Sequence, residues 1–241
     1  MATTGEQTAE ADPTRRGFWP TVLLPIAAVF GAFAGAFIVF GVLAIAGVDE
    51  DASSAIAGFS ASLLLVAGGL LLLQWLGADE RREAVAVRHS WPGAVGNGIA
   101  IGIGIVIVAA SILAASTAVD TPFERSLDDV ESGVGERPWE LVLAVVAFVV
   151  LAPIGEEILF RAFLFRGLAT RLPFAGAATI SAVIFAFFHF DIFEIGWPRA
   201  LALIATGIAL AWIYRWRGLP ASITAHATVN VVAAIAIVAG A

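Results

Sequence analysis

The chain has 241 residues, 60% hydrophobic and 14% charged, with a formal net charge of −7, no cysteine and three histidines. An ordinary soluble domain has about 45–50% apolar and about 25% charged residues, so this chain lacks the polar surface to wrap a globule and is an integral membrane protein. The absent cysteines exclude a disulfide scaffold, a thiolate metal site and a cysteine nucleophile. An acidic balance in which all 13 basic residues are arginine speaks against nucleic acid as a partner.

Residues 1–17 are polar and acidic, close on Arg15 and Arg16, and read as a disordered cytoplasmic tail. The apolar stretch from Phe18 to about Gly47 far exceeds the roughly 7–15-residue core of a cleaved signal and reads as a true span. Further apolar stretches lie at about 55–77, 93–117, 139–168, 174–190, 199–215 and 220–241. Backbone groups in lipid must be satisfied within a segment, so the expected fold is an all-α polytopic bundle. It has seven membrane helices, or eight if the long first stretch splits, in one transmembrane domain over 18–241. Gly96, Gly98, Gly102 and Gly104 suit close helix packing.

With the N-terminus in the cytoplasm and the C-terminus outside, the inner connectors hold Arg15, Arg16, Arg81, Arg82, Arg88, Arg166, Arg171, Arg215 and Arg217. The outer ones hold only Arg125, Arg137 and Arg199, as the positive-inside rule expects of a multi-pass protein of the cell membrane. All seven tryptophans fall near span ends, where an aromatic belt places them.

Three polar clusters interrupt the apolar C-terminal half, where ionisable groups are costly unless they meet one another or water. They are Glu156-Glu157 with Arg161, the aromatic run Phe185-Ala186-Phe187-Phe188 ending in His189, and His226 with Asn230. Glu157 and Arg161, four apart, read as a supporting ion pair. Glu156 is rotated by about 100° and lacks that partner. Pro153 removes a backbone hydrogen bond and is expected to kink or break the span ahead of the motif. Glu156 and His189 each stand roughly 24 Å from the turn at Arg171-Leu172-Pro173, level with each other on antiparallel helices. His226 stands only roughly 12 Å beyond the Gly218 turn, so the heights agree if the first hairpin projects about 12 Å further into the cytoplasm, which puts the site some 10–15 Å below the cytoplasmic face and open to that side.

A carboxylate beside an imidazole can hold and deprotonate a water, and a second histidine with an amide can meet a developing oxyanion. Such a set hydrolyses an amide without a covalent nucleophile. Alternatively, Glu156, His189 and His226 could bind zinc as a His₂Glu set, although no HExxH helix is present.

Glu-Glu-x-x-x-Arg, Phe-x-x-x-His and His-x-x-x-Asn, in this order within apolar helices, resemble the CAAX prenyl protease and bacteriocin-processing (CPBP, Abi) family of intramembrane proteases. The resemblance covers about residues 139–232. It implies Glu156 and His189 as the water-activating pair, His226 and Asn230 as the oxyanion-stabilising pair, and Glu157 and Arg161 as supporting acid and base. It leaves the cofactor open between none and zinc, and the shared face of His226 and Asn230 favours none. The expected activity is an intramembrane endopeptidase acting on a membrane-anchored or amphipathic protein near the cytoplasmic face. A proton- or ion-coupled transporter and a non-catalytic scaffold or immunity protein are the alternatives.

His89 reads as solvated or interfacial, and Glu140 as a helix-start acid. Asp191 and Glu194 are either acceptors for the His189 ring or solvated. Ser181 and Thr206 have no base at a useful spacing.

Overall fold

The computed structural model describes residues 17–88, 90–117, 137–189 and 196–238. Among the described residues, eight helices run in chain order. They are α1 (Phe18–Ile45), α2 (Glu50–Trp75), the short α3 (Ala78–Ala84), α4 (Trp91–Thr117), α5 (Pro138–Leu168), α6 (Phe174–Phe187), α7 (Trp197–Arg217) and α8 (Leu219–Val238). Six of them are long and apolar enough to cross a membrane, and the chain is an all-α, multi-pass membrane protein. The first apolar stretch does not split: α1 is one helix of 28 residues that runs through Pro25.

The stretch expected to span at 174–190 differs. Its helix has only 14 residues, about 21 Å, and ends before His189. The tail, His89, Asp191, Glu194, Arg125 and the last three residues lie outside the described residues.

α5 is the axis of the bundle. Residues Glu157–Phe165 are all buried, because α1, α2, α6, α7 and α8 pack around them. Pro153 neither breaks nor ends this helix. Its ring would meet the carbonyl of Val149 in a regular α-helix, and the chain answers with a π-helical stretch, Val146–Leu151, just before it. In that stretch Ala152 N–H bonds back five residues to Ala147 O. A second π-helical stretch, Glu157–Phe165, follows the short α-helical segment Ala152–Glu156. The candidate acids therefore sit at the junction of two helical registers.

α4 packs on α8 through Gly98 and Gly102. A Cβ on either glycine would stand 2.6 Å from Thr224 or Thr228 Cβ and 2.8 or 2.7 Å from the carbonyls of Ala221 or Ala225. Gly96 and Gly104 correct the sequence expectation, since both face open space.

The helix ends sort into two faces. On one, Thr21 of α1 abuts Gly167, and Arg171 lies over the Phe18 ring with its guanidinium carbon 4.2 Å from the centroid. On the same face Arg166 donates to Glu80 O, and Tyr214 Oη donates to Ala84 O at 3.0 Å. A strap from the α3–α4 connector closes this face over the α7–α8 turn through an antiparallel bridge, Val87 with Gly218. Arg88 N–H donates to Arg217 O, and Leu219 N–H to Ala86 O. Gly218 has φ +90°, and any side chain there would collide with Ala86 O, so this turn requires glycine.

On the opposite face Arg137 bonds Asp49 at 2.9 Å and the buried Glu140 at 2.9 Å, and Arg137 N–H donates to Glu140. Glu140 thus closes the first turn of α5, as its place in the sequence suggests. The Arg137 hydrogen bond, then the Ala52 N–H, hold the Asp49 carboxyl below its ordinary range.

Candidate active site

The site grows from the α5–α8 contact. On α8, Ser222, His226 and Asn230 are spaced by four, so one face presents all three to α5, and all three are buried. On α5, Glu157 and Arg161 are fully buried and in contact, with Arg161 Nη1 3.0 Å from Glu157 Oε1. The guanidinium carbon lies 4.5 Å from the centroid of the Phe185 ring, and Nη2 reaches Gly207 O at 3.5 Å. A charge so deep in the bundle is held by its counter-ion and by an aromatic face.

Glu157 is also the acceptor that orients α8. His226 Nδ1 lies 3.0 Å from Glu157 Oε1, and the Ser222 hydroxyl donates to Oε2. An ionised carboxylate only accepts, so Nδ1 carries its hydrogen and Nε2 is turned to the other side of the ring. There it faces Glu156 Oε2 at 3.8 Å. That separation is too long for a direct hydrogen bond. Glu156 Oε2 has no hydrogen-bond partner among the described residues.

His189 follows the last turn of α6. Its Nδ1 lies 2.9 Å from Phe185 O, a carbonyl that can only accept, so Nδ1 is the protonated nitrogen and Nε2 is the acceptor. The buried Phe185 ring lies 4.5 Å from the His189 ring and 5.8 Å from the His226 ring, centroid to centroid. One aromatic residue therefore touches both imidazoles and Arg161.

Asn230 departs from the expected picture. Its Nδ2 donates to Phe148 O at 2.7 Å. In the π-helical register that carbonyl would be met by the N–H five residues on, which is Pro153 and has none. The amide of α8 supplies the missing donor, and one of its two hydrogens is thereby committed.

Of the residues expected at the site, Glu156, Glu157, Arg161, His226 and Asn230 meet at the α5–α8 contact, and His189 joins through Phe185. Two contributors escaped the sequence reading, Ser222 and the Phe148 carbonyl, while Phe185 belongs to the Phe-x-x-x-His motif and its ring contacts are what the structure adds. The spacing Ser222–His226–Asn230 is the signal by which the first is found. Ser181 and Thr206 donate to Phe160 O and Ala202 O, at 3.2 and 2.8 Å, which is structural use of both hydroxyls.

Among the described residues, no three His, Cys, Asp or Glu side chains form a group able to hold a metal ion.

Residues 138–232 match the family described as "Type II CAAX prenyl endopeptidase Rce1-like". Neither curated proteins nor solved structures give a significant match. The family supports an intramembrane endopeptidase of the CAAX-protease kind. The matched segment holds all the residues of the site and begins within one residue of the stretch marked by the three motifs. From α5 into α8 the chain is therefore similar to the Rce1-like family, as the motifs by themselves suggest.

Proposed function

We propose that this protein cleaves a peptide bond of a membrane-anchored or amphipathic protein with a water activated by Glu156, without a metal. The observation that carries this reading is the cluster of the buried Glu157, Arg161 and His226 with the part-exposed Glu156, whose Oε2 lies 3.8 Å from His226 Nε2. Nδ1–H of His226 is held by Glu157, and in this scheme Nε2 carries the hydrogen that is turned towards Glu156.

In the reaction, Glu156 takes a proton from water as the water oxygen attacks the scissile carbonyl carbon. His189 Nε2 accepts the water's second hydrogen and orients it. The carbonyl oxygen gains the negative charge and is met by His226 Nε2–H and by the uncommitted hydrogen of Asn230 Nδ2. The proton on Glu156 then passes to the amide nitrogen as the C–N bond breaks, leaving a carboxylic acid and an amine, and the acid's proton passes to the amine to give a carboxylate and an ammonium.

The face carrying Arg81, Arg82, Arg88, Arg166, Arg171, Arg215 and Arg217 is assigned to the cytoplasm of the cell membrane, which puts the C-terminus outside. His226 stands about 10 Å along α8 from that face, so cleavage falls near the cytoplasmic surface.

The test is proteolysis of membrane-anchored peptides by purified wild type, Glu156→Gln and His189→Ala, with and without a zinc chelator. Loss of cleavage in Glu156→Gln with no effect of chelator is expected. Activity that survives in Glu156→Gln, or that chelator removes and zinc restores, would overturn the reading. Ion flux that depends on Glu156 in the absence of cleavage would favour a transporter.

A further inference from the structure

We infer that Ser222 is a positioning residue of the site, acting through Glu157 on His226; the inference rests on the endopeptidase reading above. Its side chain is fully buried, four residues before His226 on the same face of α8, and its hydroxyl donates to Glu157 Oε2. The alternative acceptor is Leu210 O at 3.1 Å, and a hydroxyl has only one hydrogen to give. The ionised acceptor takes it, because hydrogen bonds to charged groups are the stronger.

The consequence is geometric. Glu157 Oε1 is shared by Arg161 Nη1 and His226 Nδ1, both at 3.0 Å. With Oε1 alone engaged, the carboxylate could turn about its last bond and offer either oxygen to Arg161. The Ser222 hydrogen bond occupies Oε2 and removes that freedom, so Oε1 stays on His226. The imidazole plane is then fixed, and Nε2 stays aimed at the gap before Glu156. Helix α8 thus carries both the histidine and the hydroxyl that holds the histidine's own acceptor, so any tilt of α8 moves the pair as a unit. Ser222 touches neither water nor substrate in this scheme.

The test compares Ser222→Ala, Ser222→Cys and Ser222→Thr with wild type and Glu156→Gln, reading kcat, KM and thermal unfolding in detergent. In Ser222→Ala, kcat is expected to fall by about 10-fold or more, the size of effect that follows loss of a hydrogen bond to a charged group, with KM within about twofold. Ser222→Cys fills the space with a weak donor and stays impaired. Ser222→Thr restores a hydroxyl and recovers most of kcat; should its extra methyl prevent folding, the Ala and Cys variants decide the matter between them. Full kcat in Ser222→Ala, or in Ser222→Cys, beside an inactive Glu156→Gln would overturn the inference and leave the endopeptidase reading standing. If wild type cleaves no peptide, or if Glu156→Gln remains active, that reading falls and the inference with it.

Discussion

Asn230 of α8 supplies to the carbonyl of Phe148 the hydrogen bond that Pro153 withholds from it. A proline that widens its own helix and an amide on another helix are thus one arrangement, and it seats Asn230 beside His226. Replacing Asn230 by Ala should lower stability by about 1 kcal/mol, the scale of an interhelical hydrogen bond in a membrane, and should abolish cleavage. Adding Pro153→Ala, which returns an N–H to α5, should recover the unfolding midpoint but not the activity. Recovery of both would show that Asn230 acts only as a cap.

The Glu157–Arg161 pair is buried on all sides. Breaking it on one side, in Glu157→Gln or Arg161→Met, leaves a charge without its counter-ion and should cost about 3–5 kcal/mol. The double variant Glu157→Gln/Arg161→Met should regain much of that loss while staying inactive, since His226 still lacks its ionised acceptor. Detergent unfolding curves of the three variants provide the comparison.

Phe185 separates packing from chemistry less cleanly, but its direction is clear. Phe185→Leu keeps an apolar side chain yet gives up the face under Arg161 and the contacts with both imidazoles. Cation–π and aromatic pairs contribute about 0.5–2 kcal/mol each, so a fall in stability of about 1–3 kcal/mol and a lower kcat are expected. Phe185→Tyr, which keeps the ring, should retain more activity than Phe185→Leu.

The glycines of α4 should divide in two. Ala at Gly98 or Gly102 must push backbone carbonyls of α8 aside, and should separate α4 from α8 and reduce folded yield. Ala at Gly96 or Gly104 meets nothing within 4 Å and should be neutral, or stabilising by about 0.5–1 kcal/mol through helix propensity. Detergent-resistant folded fraction measures the contrast.

Asp49 supplies a pH dependence away from the membrane interior. Its folded carboxyl lies below the ordinary value of 3.8, first because of the Arg137 hydrogen bond. A lowered folded value means stability that is fully present above pH 3.8 and is lost as the pH falls through the folded value. Asp49→Asn should therefore unfold at a lower temperature than wild type near neutral pH, and the gap should close in acid. The pair is solvent-exposed, so the gap should be small and shrink in high salt. A gap that widened in acid would contradict this assignment.

Composition alone determined the membrane class, because an apolar stretch of about 20 residues has few states open to it besides a spanning helix. It overestimated α6, whose apolar pattern runs to His189 while the helix stops two residues short: hydropathy measures solvent preference and not where backbone hydrogen bonds end. The motif acids, histidines and amide were visible because a charge in lipid is rare enough to be noticed. Their pairing was not. Local spacing could join Glu157 to Arg161, but which histidine nitrogen faces which carboxylate depends on α5 and α8 meeting across 69 residues of chain. The same holds for Ser222 and the Phe148 carbonyl, whose partners lie on another helix. Only the packed bundle decides those contacts, since a hydrogen bond is satisfied by direction and distance, and a linear sequence holds neither.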